Sequence, residues 1–312
     1  MTLFIVILIS ILVVIFCVLA ISLYAYFETF YINKKELSNI SQLSKGQLSD
    51  DELEKLSSLI AQFKNDEFEK VSIESFDGVM LNAKYYEYNE NAPLQIVFHG
   101  YRSEGYRDFA GGMKLAKELN HNVLMVEQRG HGESDYRSTT LGMLEKYDCV
   151  YWVKYAVKRF GLNVKIILTG ISMGASTVLM ASNLKLPSNV CAIIADSPFS
   201  SPNDIILKVL KDKNVSSNIV MPFIKFGALV YGGFKFDKIG AVDAVKETNI
   251  PILILHGEDD SFVPTYMSKE IYYNCSSKKE LCVIEKADHC RGYLVDENKY
   301  ANVVKKFIKE II

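Results

Sequence analysis

The sequence lacks the marks of several functional classes. Its six cysteines, Cys17, Cys149, Cys191, Cys275, Cys282 and Cys290, form no CxxC pair and no zinc-like Cys/His spacing. They read as reduced, structural thiols, which favours a reducing compartment. There is no HExxH and no phosphate loop, so neither a metal nor an organic cofactor is expected. Charge of one sign is missing too: 35 basic residues face 37 acidic ones, for a net charge of −2. That balance argues against a nucleic-acid partner and against a strongly acidic substrate. No internal repeat or low-complexity tract interrupts the chain.

The first stretch stands apart by what it omits. Leu3–Phe27 contains no charged residue, no proline and no glycine. As a helix it would run roughly 37 Å, more than the ~30 Å hydrocarbon core of a bilayer. A cleaved signal peptide would need a basic leading region and a shorter apolar core. Only Met1 and Thr2 precede this run, and Phe16, not a small residue, precedes Cys17. A buried core helix would carry a polar stripe, whereas only Ser10 and Ser22 occur before Glu28. The segment 1–32 therefore reads as a single N-terminal transmembrane anchor, with Tyr24, Tyr26, Phe27, Phe30 and Tyr31 as its interfacial aromatics. Lys34 and Lys35, diluted by Glu28 and Glu36, lean towards a cytoplasmic C-terminal domain and leave the side of the membrane open.

About 280 residues remain, enough for one large α/β domain. Residues 33–67 read as a polar linker and a short helix starting at Ser49, with Glu52 completing a capping box. Alternation on both sides of Asp77-Gly78 predicts a β-hairpin. Continuous apolar strands follow at 94–98, 122–126, 165–170, 190–195, 252–255 and 281–285. Helical segments at 109–119, 143–160, 174–184, 266–274 and 300–311 separate or follow them. That alternation predicts a mostly parallel sheet covered by helices on both faces. Between Ala195 and Pro251 lie about 50 residues where a connection of ~2–6 is usual. This apolar stretch reads as a helical insertion that covers something.

The chemistry concentrates at strand ends. Ser172 sits where the strand "IILTG" gives way to the helix "GASTVLMAS", between Gly170 and Gly174. A serine on so sharp a turn has a strained backbone, and its neighbours two positions away must be small. This is the G-x-S-x-G nucleophile elbow. His99-Gly100 ends an earlier strand, and the amides of Tyr101 and Met173 are the candidate oxyanion donors. His99 itself reads as packing at the strand end. In "HGEDDSFVP" a carboxylate follows His256-Gly257; Asp260 is the candidate, with Asp259 beside it. In "EKADHCRGY" His289 follows the last strand. Ser172, Asp260 and His289 then stand in the order a Ser-Asp-His triad takes in this kind of sheet. A serine hydroxyl needs an imidazole to accept its proton, and the imidazole needs a carboxylate to orient it. Asp196, after another strand, reads as a structural neighbour and as the alternative acid.

With these pieces the chain resembles the α/β-hydrolase superfamily over Phe68–Ile312, through "HGYRSEG", "EQRGHGES", "GISMG", "HGEDDSFVP" and "ADH". The anchor plus hydrolase domain is most similar to bacterial membrane-tethered hydrolases of the serine-aminopeptidase-like, esterase/lipase branch. The resemblance implies an α/β-hydrolase fold over residues 68–312 with a small helical lid at about 200–240. It also implies that Arg129–Ser134 shapes the floor of the active site, and that Asp260, first in "DSFVP", is the acid. The function it implies is a serine hydrolase of carboxylic esters, thioesters or acyl-lipids. A peptidase or acyltransferase on the same residues is the alternative, and a catalytically silent tethered binding module is the alternative of another class. The expected partners are a small-molecule or lipid-linked acyl substrate and the membrane.

Overall fold

Among the described residues, eight strands build one sheet: β1 (Glu69–Glu74), β2 (Met80–Tyr86), β3 (Leu94–Phe98), β4 (Asn122–Glu127), β5 (Ile166–Ile171), β6 (Val190–Asp196), β7 (Ile252–Gly257) and β8 (Lys279–Ile284). The structure is a computed structural model and describes residues 1–34, 48–236 and 239–312. Residues 35–47 of the expected linker, Lys35 and Glu36 among them, and residues 237–238 of the expected lid lie outside the described residues. The strand order is β1-β2-β4-β3-β5-β6-β7-β8. The hairpin β1–β2 is antiparallel and joins β4 antiparallel; every other pairing is parallel. This is the mixed, mostly parallel sheet that the strand and helix spacing predicts.

The longer helices are α1 (Thr2–Thr29), α2 (Asp50–Phe63), α3 (Ala110–Glu118), α4 (Glu145–Phe160), α5 (Met173–Ala181), α6 (Pro202–Asp212), α7 (Ser217–Val230), α8 (Tyr266–Asn274) and α9 (Glu297–Lys309). α2 starts with the capping box read from the sequence, Ser49 and Glu52 exchanging hydrogen bonds. The central strands carry no polar alternation because both sheet faces are buried. Ile96, Phe98, Ile166 and Leu168 face one core with Trp152, Val153 and Val178. Val97 and Ile167 face the other with Met113, Leu253 and Phe307.

A third apolar cluster lies beyond the strand ends. Ile205, Ile206, Leu210, Met221, Ile224 and Phe234 from the insertion meet Met173, Val263 and Met267 there. Ala25, Tyr26 and Phe30 of the N-terminal segment belong to the same cluster. Not every apolar residue of the insertion turns inward: Phe226, Leu229 and Val230 on α7 are exposed.

α1 is the one described helix long and apolar enough to cross a bilayer. Its last turns are nonetheless built into the body of the protein. Gly227 of α7 lies so close that a Cβ there would come within 2.4 Å of the Ser22 carbonyl oxygen. Tyr231 donates to the Leu19 carbonyl at 2.9 Å. Beyond the helix, Ile32 N donates to Arg137 O and Thr139 N to Phe30 O, a short antiparallel bridge. Phe30 is fully buried, edge-on to Phe234 at 5.1 Å.

Candidate active site

β3 sits between β4 and β5, so the chain leaves it in one direction and returns on the other side. Ligands in open α/β sheets gather at the carboxyl ends of strands around such a switch. The loops after β3 and β5 are neighbours there, with Phe98 in register with Gly170.

Ser172 stands between β5 and α5 at φ 53° and ψ −115°, a left-handed backbone that a serine holds only under constraint. Its amide donates to Asp196 O at 2.8 Å. The glycines on either side have a measurable reason. A Cβ on Gly170 would lie 2.3 Å from the Gly174 backbone, and one on Gly174 would lie 1.9 Å from Phe98 O. Only hydrogen fits at either position, so α5 can start directly beneath the serine. Its N-terminal end carries partial positive charge towards the Ser172 side chain.

Ser172 meets His289 at the mouth of this turn. His289 Nε2 lies 2.9 Å from Ser172 Oγ, and His289 Nδ1 lies 2.7 Å from Asp260 Oδ2. The tautomer that satisfies both has Nδ1–H donating to the carboxylate and Nε2 accepting the serine hydroxyl. Asp288 Oδ1 accepts from the His289 amide at 2.8 Å and from Ser261 N at 2.8 Å, joining the two loops that carry the imidazole and the acid. Phe262 lies edge-on to the imidazole, its ring centroid 5.2 Å away.

Asp260 is the better anchored of the two adjacent carboxylates, since Asp259 is exposed. Asp260 Oδ1 accepts from the amides of Phe262 and Val263 at 3.0 and 2.7 Å. Oδ2 also lies 3.1 Å from a second imidazole nitrogen, His256 Nε2, which shares its N–H with Val263 O at 2.8 Å. Burial pushes this carboxyl up, but the hydrogen bonds from His256 and His289 overcome it and hold the group at about 2. The alternative acid is engaged elsewhere: Asp196 accepts from Tyr300 Oη and Ser197 Oγ, both at 2.9 Å.

Sequence reasoning brought Ser172, Asp260 and His289 to one place but missed His256 as a donor to Asp260. The signal was there, in a histidine four residues before the acid, yet "HG" at a strand end reads first as a turn. His256 Nδ1 is fixed in turn by Ser268 Oγ at 2.6 Å. Among the described residues, neither the Tyr101 nor the Met173 amide donates to a protein acceptor. Gly100 N, by contrast, is taken by Asp108 Oδ2 at 2.7 Å. His99 packs at the end of β3 as expected, its Nδ1 towards Gly100 O and its ring against His131. Burial keeps both imidazoles below the ordinary histidine range.

Two family models match the chain. One is the alpha/beta hydrolase fold, over residues 95–218; the other is serine hydrolase (FSH1), over residues 202–290. The chain belongs to the α/β-hydrolase superfamily. Among known proteins, this hydrolase is 25% identical over 197 residues to YqkD of Bacillus subtilis, covering 63% of this chain and 65% of that one. It is 24% identical over 211 residues to the lysophosphatidylserine lipase ABHD12 of Danio rerio, covering 64% of this chain and 52% of that one. The hydrolase thus spans roughly half to two-thirds of these relatives' length. Among solved structures, the Pyrococcus furiosus esterase Pf2001 superposes with a TM-score of 0.65 at 22% identity, over 83% of this chain and 95% of that one. That likeness concerns the fold. The serine hydrolase model spans the stretch that carries Asp260 and His289.

Proposed function

We propose that this hydrolase cleaves carboxylic esters through an acyl-enzyme on Ser172, while α1 anchors it in a membrane. The observation that carries the reading is one imidazole in contact with both partners, 2.9 Å from the Ser172 hydroxyl and 2.7 Å from the Asp260 carboxylate. Ser172 Oγ attacks the acyl carbon while His289 Nε2 takes its proton. Asp260 stabilises the imidazolium that forms. The amides of Tyr101 and Met173 receive the oxyanion, each worth about 3–4 kcal/mol at sites of this kind. His289 then returns the proton to the leaving alcohol, and a water activated by the same imidazole releases the acid.

The apolar cluster that runs from Met173 to α6 and α7 supports an acyl chain as the group accommodated beside the serine. An apolar α1 supports substrates that are themselves membrane-resident, as does the lipid substrate named for the zebrafish relative. A fluorophosphonate probe tests the reading. It should label the full-length protein and fail to label Ser172→Ala, and the variant's turnover of p-nitrophenyl acyl esters should fall about 10⁴-fold or more. A folded wild-type protein that takes no label would return the molecule to a silent binding module. Turnover of amides but not esters would make it a peptidase.

A further inference from the structure

The loop that supplies the Tyr101 amide is held from two sides. On one side its flanks are tied to the hydrolase body. Gly100 N donates to Asp108 Oδ2, and Ser103 Oγ donates to Asp108 Oδ1 at 2.6 Å. On the other side the two residues between those ties reach across to α1. Arg102 Nη2 donates to the carbonyl oxygens of Phe27, Glu28 and Tyr31 at 3.2, 3.1 and 2.9 Å. Tyr101 Oη donates to Thr29 O at 3.1 Å.

The carbonyls of Phe27, Glu28 and Thr29 lie in the last turn of α1, where a helix leaves its last acceptors without intrahelical partners, and that of Tyr31 lies just beyond it. A guanidinium there also meets the negative end of the helix dipole. The arrangement constrains Arg102 in return. Its φ is 48°, a left-handed conformation that a long L side chain adopts only when its surroundings fix it. Its guanidinium also lies over the Tyr101 ring, 5.0 Å from the centroid. The Tyr101 amide belongs to the Gly100–Tyr101 peptide, so tying Gly100 on one side of it and the Tyr101 side chain and Arg102 on the other limits how that peptide can turn.

We propose that the end of the N-terminal helix is a working part of the oxyanion loop, with Arg102 as the positioning residue that clasps the two together. The helix that carries the span thereby holds the Tyr101 amide at the angle the tetrahedral intermediate requires. This rests on the reading of Ser172 and the Tyr101 amide given above.

The test uses the full-length protein in detergent micelles, a short-chain p-nitrophenyl ester, and a trifluoromethyl ketone whose adduct with Ser172 mimics the tetrahedral intermediate. Removing an oxyanion donor outright costs about 10²–10³ in kcat, and a misaimed donor loses part of that. Arg102→Ala is therefore expected to lower kcat about 10-fold or more, with KM changed by no more than about 3-fold. The ketone should bind more weakly by the same factor as kcat. Arg102→Lys, which keeps a cation on the carbonyls, should recover part of both. Tyr101→Phe keeps the ring and loses only the bond to Thr29; a fall of a few-fold in kcat is expected, again at constant KM. Should Arg102→Ala fail to give a cooperative melt, Arg102→Gln and Tyr101→Phe carry the same comparison. Wild-type kcat and ketone affinity in the folded variants, or a loss confined to KM, overturns the proposal. Ser172→Ala separates the two levels. If it retains turnover, the site itself was misread; if it is inactive while the clasp variants are normal, only the clasp falls.

Discussion

Asp260, the acid of the proposed triad, would carry both stability and chemistry. It is buried, yet two imidazoles and two amides keep it ionised well below the ordinary range. The unfolded chain takes up a proton near 3.8 and the folded one near 2. The stability contributed is therefore complete above about pH 4 and is lost as the pH falls towards 2, on the order of 2 kcal/mol in all. Asp260→Asn has no such titration. Urea midpoints of the two proteins measured from neutral pH downwards should converge as the pH drops below about 4; a gap constant down to about pH 2.5 would contradict the assignment. At neutral pH the same variant should lose about 10⁴ in kcat with its fold intact, because the imidazole no longer holds the right tautomer.

Elements were easier to read in the sequence than the ties between them. The buried strands are legible because an unbroken Ile/Leu/Val run between helices has few other homes, and Asp77-Gly78 announces its hairpin. The elbow is legible because Gly170 and Gly174 answer a steric demand that any serine in that turn would make. Arg129 is the opposite case. Its motif resembles an active-site floor, but its guanidinium is fully buried and ties three elements together. It donates to Asp148 on α4 through Nε at 2.7 Å and Nη2 at 2.6 Å, and to Asp77 in the β1–β2 turn at 2.9 Å. Ser75 of the hairpin joins the same Asp148. Such pairings depend on which loops meet in space, and residue spacing does not encode that. Arg129→Ala strands a buried carboxylate and should cost about 3–5 kcal/mol in urea unfolding. Arg129→Met with Asp148→Leu should recover much of that loss, because the buried carboxylate goes with its partner and Asp77, which is partly exposed, is left to water.

At the scale of the whole molecule, the division into anchor, linker and hydrolase conceals a shared surface. α1 has 28 residues, about 42 Å, and a ~30 Å hydrocarbon core takes up about 20 of them. A span that begins near Leu3 reaches the far interface near Ser22. The Tyr231–Leu19 bond and the Gly227–Ser22 contact then set the end of α7 at that interface. The exposed Phe226, Leu229 and Val230 would lie against lipid. The single tryptophan, Trp152, is fully buried, which leaves a clean background for a reporter. In vesicles containing brominated phospholipids, Leu12→Trp should be quenched deeply and Leu229→Trp by shallow bromines. Leu162→Trp, in the loop after α4 at the opposite end of the sheet, should stay bright. Quenching at Leu12→Trp without any at Leu229→Trp would keep the anchor and lift the insertion off the bilayer.

The Gly227–Ser22 contact has one more consequence. On the proposed topology, no slack tether separates the bilayer from the nucleophile, so the serine stands at a set altitude over the lipid surface. Acyl donors would be sorted by geometry: a bond lying near the headgroup plane comes within range, while one buried deep or carried far out on a long polar stalk does not. Headgroup identity would then count for less than the depth at which the ester sits.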